Sequence, residues 1–157
     1  LMPCINLKQT AIMIDVAEVI QMKKIFMIAL LTILCGCGKE NKVESEGTYQ
    51  NAKGETTTAK VTFVDDKIKE IYLDETTGDT TKKTLKDAYD MREASAIGKN
   101  WDEQVAFLEN YIKRNGIEKI QLDASGKAMN EDILTGCTIS IDGYIKAIEN
   151  AKNKLNQ

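Results

Sequence analysis

The chain has 157 residues, 21 of them basic and 24 acidic, and contains no histidine. A slight acidic excess with no basic stripe gives no electrostatic support for binding nucleic acid. The missing histidine removes the commonest general base and the commonest metal ligand, so hydrolytic triads and zinc sites are poor expectations.

In chain order, the first 21 residues, LMPCINLKQTAIMIDVAEVIQ, precede a stretch that reads as an export signal. From Met22 the sequence runs MKKIFMIALLTILCGCGKE, with Lys23 and Lys24 followed by an apolar run from Ile25 to Leu34. That run is too short to span a bilayer and suits a secretory signal. It ends in Leu34-Cys35-Gly36-Cys37, which resembles a bacterial lipobox: an aliphatic residue, a small residue before the cut, and a cysteine that becomes the new N-terminus. A signal peptide starts at its initiator methionine, so Met22 is the expected start and residues 1–21 an upstream mis-start. Residues 22–36 are then a lipoprotein signal peptide, and Cys37 carries lipid such as palmitate. Two acyl chains anchor stably in a lipid bilayer where one does not. The expected location is the extracytoplasmic face of the cell membrane.

The cysteines fit this division. Cys4 lies in the extension, Cys35 leaves with the signal, Cys37 is lipidated, and Cys137 alone remains, which excludes a disulfide framework. Setting aside Lys8, Lys23, Lys24, Asp15 and Glu18 leaves 18 basic and 22 acidic residues after Cys37, a net charge of −4. Residues 37–47, CGKENKVESEG, are polar except for Val43 and read as a tether between membrane and domain. Ten such residues reach roughly 35 Å at full stretch. A domain over residues 48–157 has a normal size and room for a core.

The domain opens with β patterning. GTYQNAK suits a short edge strand. Ala59, Val61 and Phe63 then alternate with Lys60 and Thr62, and Ile71 and Leu73 alternate with Glu70 and Tyr72. With Asp65-Asp66 between them, the two runs predict a hairpin. Next, Leu85, Ala88, Tyr89 and Arg92 give helical spacing. A clearer helix follows, with Trp101, Val105, Leu108 and Ile112 on one face, a capping box from Asn100 and Glu103, and Gly116 as its stop. IEKIQLDASGK is expected to be a short strand or turn and a loop. A last helix carries Ile141, Tyr144, Ile145, Ile148 and Leu155 on one face, with Ser140 as its cap and Asp142 in its first turn. The fold class is α+β: a small antiparallel sheet with an N-terminal hairpin packed against helices.

One stretch asks for chemistry. In Asp132-Ile-Leu-Thr135-Gly136-Cys137-Thr138, small hydroxyl residues flank a Gly-Cys pair just before the last helix. Helix starts present free N–H groups and attract anions. Gly136 permits close backbone approach. Thr138 would offer a hydroxyl where a phosphate sits, and Asp132 would help hold a cation or fix the loop. On residues alone a second reading stays open, in which Asp132, Thr135 and Ser140 satisfy turn and cap hydrogen bonds.

The same run resembles the flavinylation motif of FMN-binding domains, Asp-x-x-[Ser/Thr]-Gly-Ala-Thr, with Cys137 in place of the alanine. Such domains occur in bacterial sodium-pumping and electron-bifurcating membrane complexes and in Gram-positive lipoproteins for extracellular electron transfer. Other segments resemble the family too: EGTYQ, the hairpin AKVTFVDDKIKEIYL, and YDMREASAIGKNWDEQVAFLENYI with its Ser-Ala-Ile-Gly-Lys run and Trp-x-x-Gln. The resemblance implies that a separate magnesium-dependent flavin transferase esterifies Thr138 with the phosphate of FMN, with Asp132, Thr135 and Gly136 as the rest of the motif. It also implies an electron carrier between a membrane donor, such as a quinol-linked dehydrogenase, and an extracellular acceptor. In such a carrier the flavin supplies the redox chemistry and the protein supplies attachment and orientation. By residue type Trp101, Tyr89, Met91, Tyr49, Tyr144 and Lys99 are possible flavin neighbours, although core packing or solvation is their default.

Two other functions stand beside this one. The domain would be a non-redox lipoprotein acting as a ligand-binding or interaction module, or the cleaved signal peptide would itself be a secreted signal.

Overall fold

A computed structural model describes residues 41–156 of the chain. The expected mis-start, signal peptide and lipidated Cys37 lie outside the described residues.

The fold is a small α+β domain. Four antiparallel strands, β1 (Lys42–Gln50), β2 (Thr56–Val64), β3 (Lys67–Thr77) and β4 (Thr80–Thr81), lie side by side in sequence order. The helices are α1 (Lys82–Leu85), α2 (Trp101–Asn115), α3 (Glu131–Leu134) and α4 (Asp142–Asn153). None of the described helices is long and apolar enough to cross a membrane.

The β2–β3 hairpin follows its alternation. Ala59, Val61, Phe63, Ile71 and Leu73 are buried, while Lys60 and Tyr72 face outward. Asp65 and Asp66 both take positive φ, +49° and +63°, the left-handed pair that a two-residue hairpin turn needs and that aspartate tolerates better than most residues. The register slips between Thr62 and Phe63, where Thr62 pairs with Glu70 but Phe63 pairs with Ile68. This bulge leaves Lys69 as the extra residue.

The strand before the hairpin is longer than the sequence suggests. Lys42 to Gly47, read above as tether, form the first six residues of β1 and pair with β2 from Val64 back to Ala59. Their contacts are not apolar. The Ser45 hydroxyl donates to the Ala151 carbonyl at 2.7 Å, and Gly47 lets the backbone of α4 pass so closely that a β-carbon there would collide with Ala147 and Ala151. A strand fastened by its backbone ladder, the Ser45 hydroxyl, Lys154 on the Glu46 carbonyl and the close approach at Gly47 needs no period-two hydrophobic signal.

Helix α4 covers β1 and β2, and α2 packs on β3. Trp101, Val105, Leu108 and Ile112 of α2 are buried as their spacing predicts, with Tyr111 beside them. From the last helix, Ile141, Tyr144 and Ile148 enter the same core with Ala147 and Ala151, whereas Ile145 and Leu155 are only partly buried. Each large aliphatic side chain so buried contributes roughly 1.5–3 kcal/mol.

The helix expected around Leu85–Arg92 is cut short. It is a single turn, capped by the Thr81 hydroxyl, and it ends at Lys86, whose φ is +49°. A 3-10 turn follows over Lys86–Ala88, then irregular chain to Lys99. Side chains take the amides that a helix would use. Asp90 accepts from Arg92 N, Ser95 Oγ accepts from Lys99 N, and Asn100 Oδ1 accepts from Met91 N. Short polar side chains compete with helix in this way.

Candidate functional site

The motif loop is built around α3. Ile133 is fully buried and anchors this single turn, whose carbonyl accepts from the amides of Gly136 (3.0 Å) and Cys137 (2.8 Å). Thr135 Oγ donates back to the Asp132 carbonyl at 2.7 Å. Asp132 Oδ1 accepts from the amide of Ile133, and the Asp132 carboxylate also lies against the Tyr111 hydroxyl. Burial first, and then that carboxylate, raise the Tyr111 pKa above its ordinary value. Both contacts of Asp132 lie within the loop and its seat on α2. No hydrogen bond joins Asp132 to Thr138 among the described residues, and no cluster of three or more carboxylates or thiols there could hold a metal.

Gly136 is needed for close approach, but to a side chain. A β-carbon there would run into the ring of Phe107 on α2. Cys137, the departure from the family pattern, is 1% exposed, and burial pushes its thiol up to about 11. A thiol so placed is neutral and packed, remote from the reactive thiolate form.

Thr138 does not face the free amides of the last helix. Its amide donates to Gln104 Oε1 at 2.8 Å, and its hydroxyl donates to the same oxygen at 3.2 Å. The entrance of α4 is arranged differently from the expected Ser140 cap. The first helical residue is Asp142, the capping position is Ile141 with no side-chain bond, and the Gly126 carbonyl accepts from the amides of Ile141 (2.7 Å) and Asp142 (3.2 Å). Ser140 pairs across to Lys127 instead. The Gly126 carbonyl thus occupies two of the amides at the entrance, those of Ile141 and Asp142.

Gln104 is the site residue that periodicity missed. It is fully buried on the apolar face of α2, one turn after Trp101. Its Nε2 donates to Ser95 Oγ (3.1 Å) and to the Lys99 carbonyl (3.0 Å), and its Oε1 receives both groups of Thr138. One side chain thus ties together the Ser95–Lys99 run, α2 and the motif loop. The signal for it was a polar residue inside an apolar helical stripe, which burial tolerates only when every polar atom is paired.

The aromatic residues divide by depth. Trp101 is 2% exposed and its indole N–H donates to Tyr144 Oη at 3.1 Å; that hydroxyl donates in turn to Glu75 at 2.7 Å, where Lys82 also pairs at 3.0 Å. Burial above all, and then Glu75, hold the Tyr144 pKa well above its ordinary value. Trp101 and Tyr144 are core, and Tyr89 and Met91 pack partly buried against it. Tyr49 lies under Lys146, whose ammonium is 4.6 Å from its ring centre. Nearer the loop, Lys99 places its ammonium 5.7 Å from the Phe107 ring centre, and Phe107 with Asn110, Lys113 and Arg114 lines a shallow concavity of about 350 Å³. Phe107 touches the loop at Gly136, while the polar contacts of Thr138 run to Gln104.

No family model and no curated protein matches this chain. A solution NMR structure from Clostridium thermocellum, a Northeast Structural Genomics Consortium target, is similar over 74% of this chain and 92% of its own, at 22% identity and a TM-score of 0.45.

Proposed function

We propose that this chain is a membrane-anchored extracytoplasmic flavoprotein that carries FMN esterified to Thr138. It relays electrons from a membrane donor, such as a quinol-linked dehydrogenase, to an acceptor outside the cell. The observation that carries the reading is the convergence on Gln104. The middle segment of the resemblance, through its Ser95–Lys99 run and the Trp-x-x-Gln of α2, and the motif with its acceptor Thr138 meet in one hydrogen-bonded unit.

Each residue has a task that its position allows. Thr138 offers the only hydroxyl of the motif not turned back on the loop itself, since Thr135 Oγ is spent on Asp132. Asp132 and Thr135 hold the loop in shape. Gly136 lets it lie against Phe107, and Lys99 supplies positive charge on the segment joined to Thr138 through Gln104. When bound, FMN supplies one- and two-electron transfer; the protein keeps it from diffusing away outside the cell. The lipobox at Cys37, outside the described residues, supports the anchor independently.

The test is co-expression of the full chain with an active flavin transferase. The expected product is yellow and heavier by one FMN less water, and Thr138→Ala loses both colour and mass. A colourless wild-type chain of unchanged mass would favour the non-redox binding module. For the anchor, Cys37→Ala is expected to move the protein into the aqueous phase on detergent partitioning; full membrane retention would remove the lipid-anchor reading.

A further inference from the structure

We propose that Gln104 is the positioning residue for modification of Thr138: its side-chain carbonyl sets the direction of the acceptor hydroxyl. The inference rests on the flavin-attachment reading above and adds a residue to it.

The geometry leaves Gln104 little freedom. Both protons of Nε2 are used, one by Ser95 Oγ at 3.1 Å and one by the Lys99 carbonyl at 3.0 Å. An amide whose nitrogen is held by two acceptors cannot turn over, so Oε1 is fixed toward Thr138. Oε1 takes the Thr138 amide at 2.8 Å, which holds the backbone, and the Thr138 hydroxyl at 3.2 Å, which selects the side-chain rotamer. The hydroxyl proton then points inward at Gln104, and the oxygen lone pairs face away from it, toward an incoming phosphorus. Gln104 is fully buried, which withdraws its side-chain carbonyl from solvent.

The chemistry needs that preparation. A lone pair of Thr138 Oγ forms a P–O bond to a flavin nucleotide whose FMN phosphate is held in an anhydride. The anhydride P–O bond breaks and its electron pair leaves with the departing phosphate group, while the O–H turns from Gln104 Oε1 to a base of the transferase, which takes the proton. An amide is no base, so Gln104 acts on the orientation of the nucleophile and not on its proton. Misplacing a nucleophile by about 1 Å is enough to cost roughly a hundredfold in rate.

The experiment measures transferase-catalysed attachment to the full chain, with chain concentration varied. Gln104→Met keeps the volume and removes the acceptor. Its kcat for attachment is expected to fall about 10- to 100-fold while KM for the chain stays within about threefold. A folded Gln104→Met chain modified at the wild-type kcat overturns the proposal, as does a loss confined to KM, which would mean that Gln104 shapes only the docking surface. Thr138→Ser keeps Gln104 intact and supplies the answer if Gln104→Met fails to fold. Serine lacks the methyl that stiffens χ1, so a hydroxyl directed by Gln104 is still modified within about threefold of wild type. A tenfold or larger loss in Thr138→Ser assigns the orientation to the methyl and overturns the role of Gln104. A bare wild-type chain, beside a control protein that the same transferase modifies, overturns the attachment reading itself and this inference with it.

Discussion

Helices α2 and α4 enter the core by different means. At α2 the entrance is local: Asn100 Oδ1 accepts from the amide of Trp101 at 2.9 Å, and Glu103 accepts from the amide of Asn100 at 2.8 Å. At α4 no side chain caps the helix, and the Gly126 carbonyl, from a turn sixteen residues before Asp142, takes the first amides. A local cap is written in consecutive residues and can be read from them. An entrance satisfied by a distant carbonyl leaves a serine nearby that looks like a cap and is not one. The difference reaches the motif loop: Gly126 takes two amides at the entrance of α4, and Thr138 is held by Gln104 of the well-capped helix.

The comparison can be broken by substitution. The largest effect is expected at the tertiary entrance. Gly126 has φ of +77°, and a β-carbon there would press on Ser140 Oγ and Asp142 Cβ. Gly126→Ala is expected to cost about 2–3 kcal/mol in urea unfolding, from strain and displacement of the α4 entrance. A change within about 0.5 kcal/mol would mean that the turn does not hold the helix. Next, Asn100→Ala removes the α2 cap and leaves Met91 N without its acceptor, with an expected cost of about 1–2 kcal/mol. It is smaller than it would otherwise be, because Asn100 Nδ2 has no partner among the described residues. Equal stability to wild type would deny the local cap its role.

A third effect depends on pH. The Cys137 thiol is raised from 9.0 to about 11 in the fold, so above pH 9 the unfolded chain loses this proton while the folded chain keeps it. The unfolded state then binds fewer protons, and stability falls as pH rises from about 9 to 11. Cys137→Ala is expected to make that decline shallower between pH 9 and 10, leaving the part due to Tyr72, Tyr111 and Tyr144, whose raised pKa values act in the same direction; an unchanged slope would place the thiol in water. The smallest effect is expected at Ser140. Since it does not cap α4, Ser140→Ala should change stability by less than about 0.5 kcal/mol. A loss of about 1 kcal/mol, typical of a lost cap, would restore the serine to that role.

Sequence reading reached the parts of this fold that rest on neighbours in the chain. The alternation of Val61 and Phe63 with Lys60 and Thr62, the aspartate turn and the capping box of α2 are all present as read, and so is the α+β class. It missed what depends on distant partners. The first six residues of β1 are held by Ser45 and Gly47 against α4, contacts a hundred or more positions apart, so they carry no apolar period. The segment from Leu85 to Arg92 shows helical spacing, but the amides of Met91 and Arg92 are taken by Asn100 and Asp90. At the motif, the fold separates the tasks of the residues named. Asp132 and Thr135 close the loop, Gly136 admits Phe107, and Thr138 alone reaches Gln104. Gln104 was visible only as an oddity, a polar residue on a buried stripe, because its meaning lies in Ser95, Lys99 and Thr138 together.

The flavin attachment is tested most directly by mapping the tryptic peptide from Ala128 to Lys146 in chain purified from a host with an active flavin transferase. The peptide holds Thr135, Thr138 and Ser140, and only one of these hydroxyls is expected to be altered. The predicted result is a peptide heavier by one FMN less water, with fragmentation placing the addition on Thr138. The same peptide recovered bare, from a host that has modified another protein in the same cells, would contradict it.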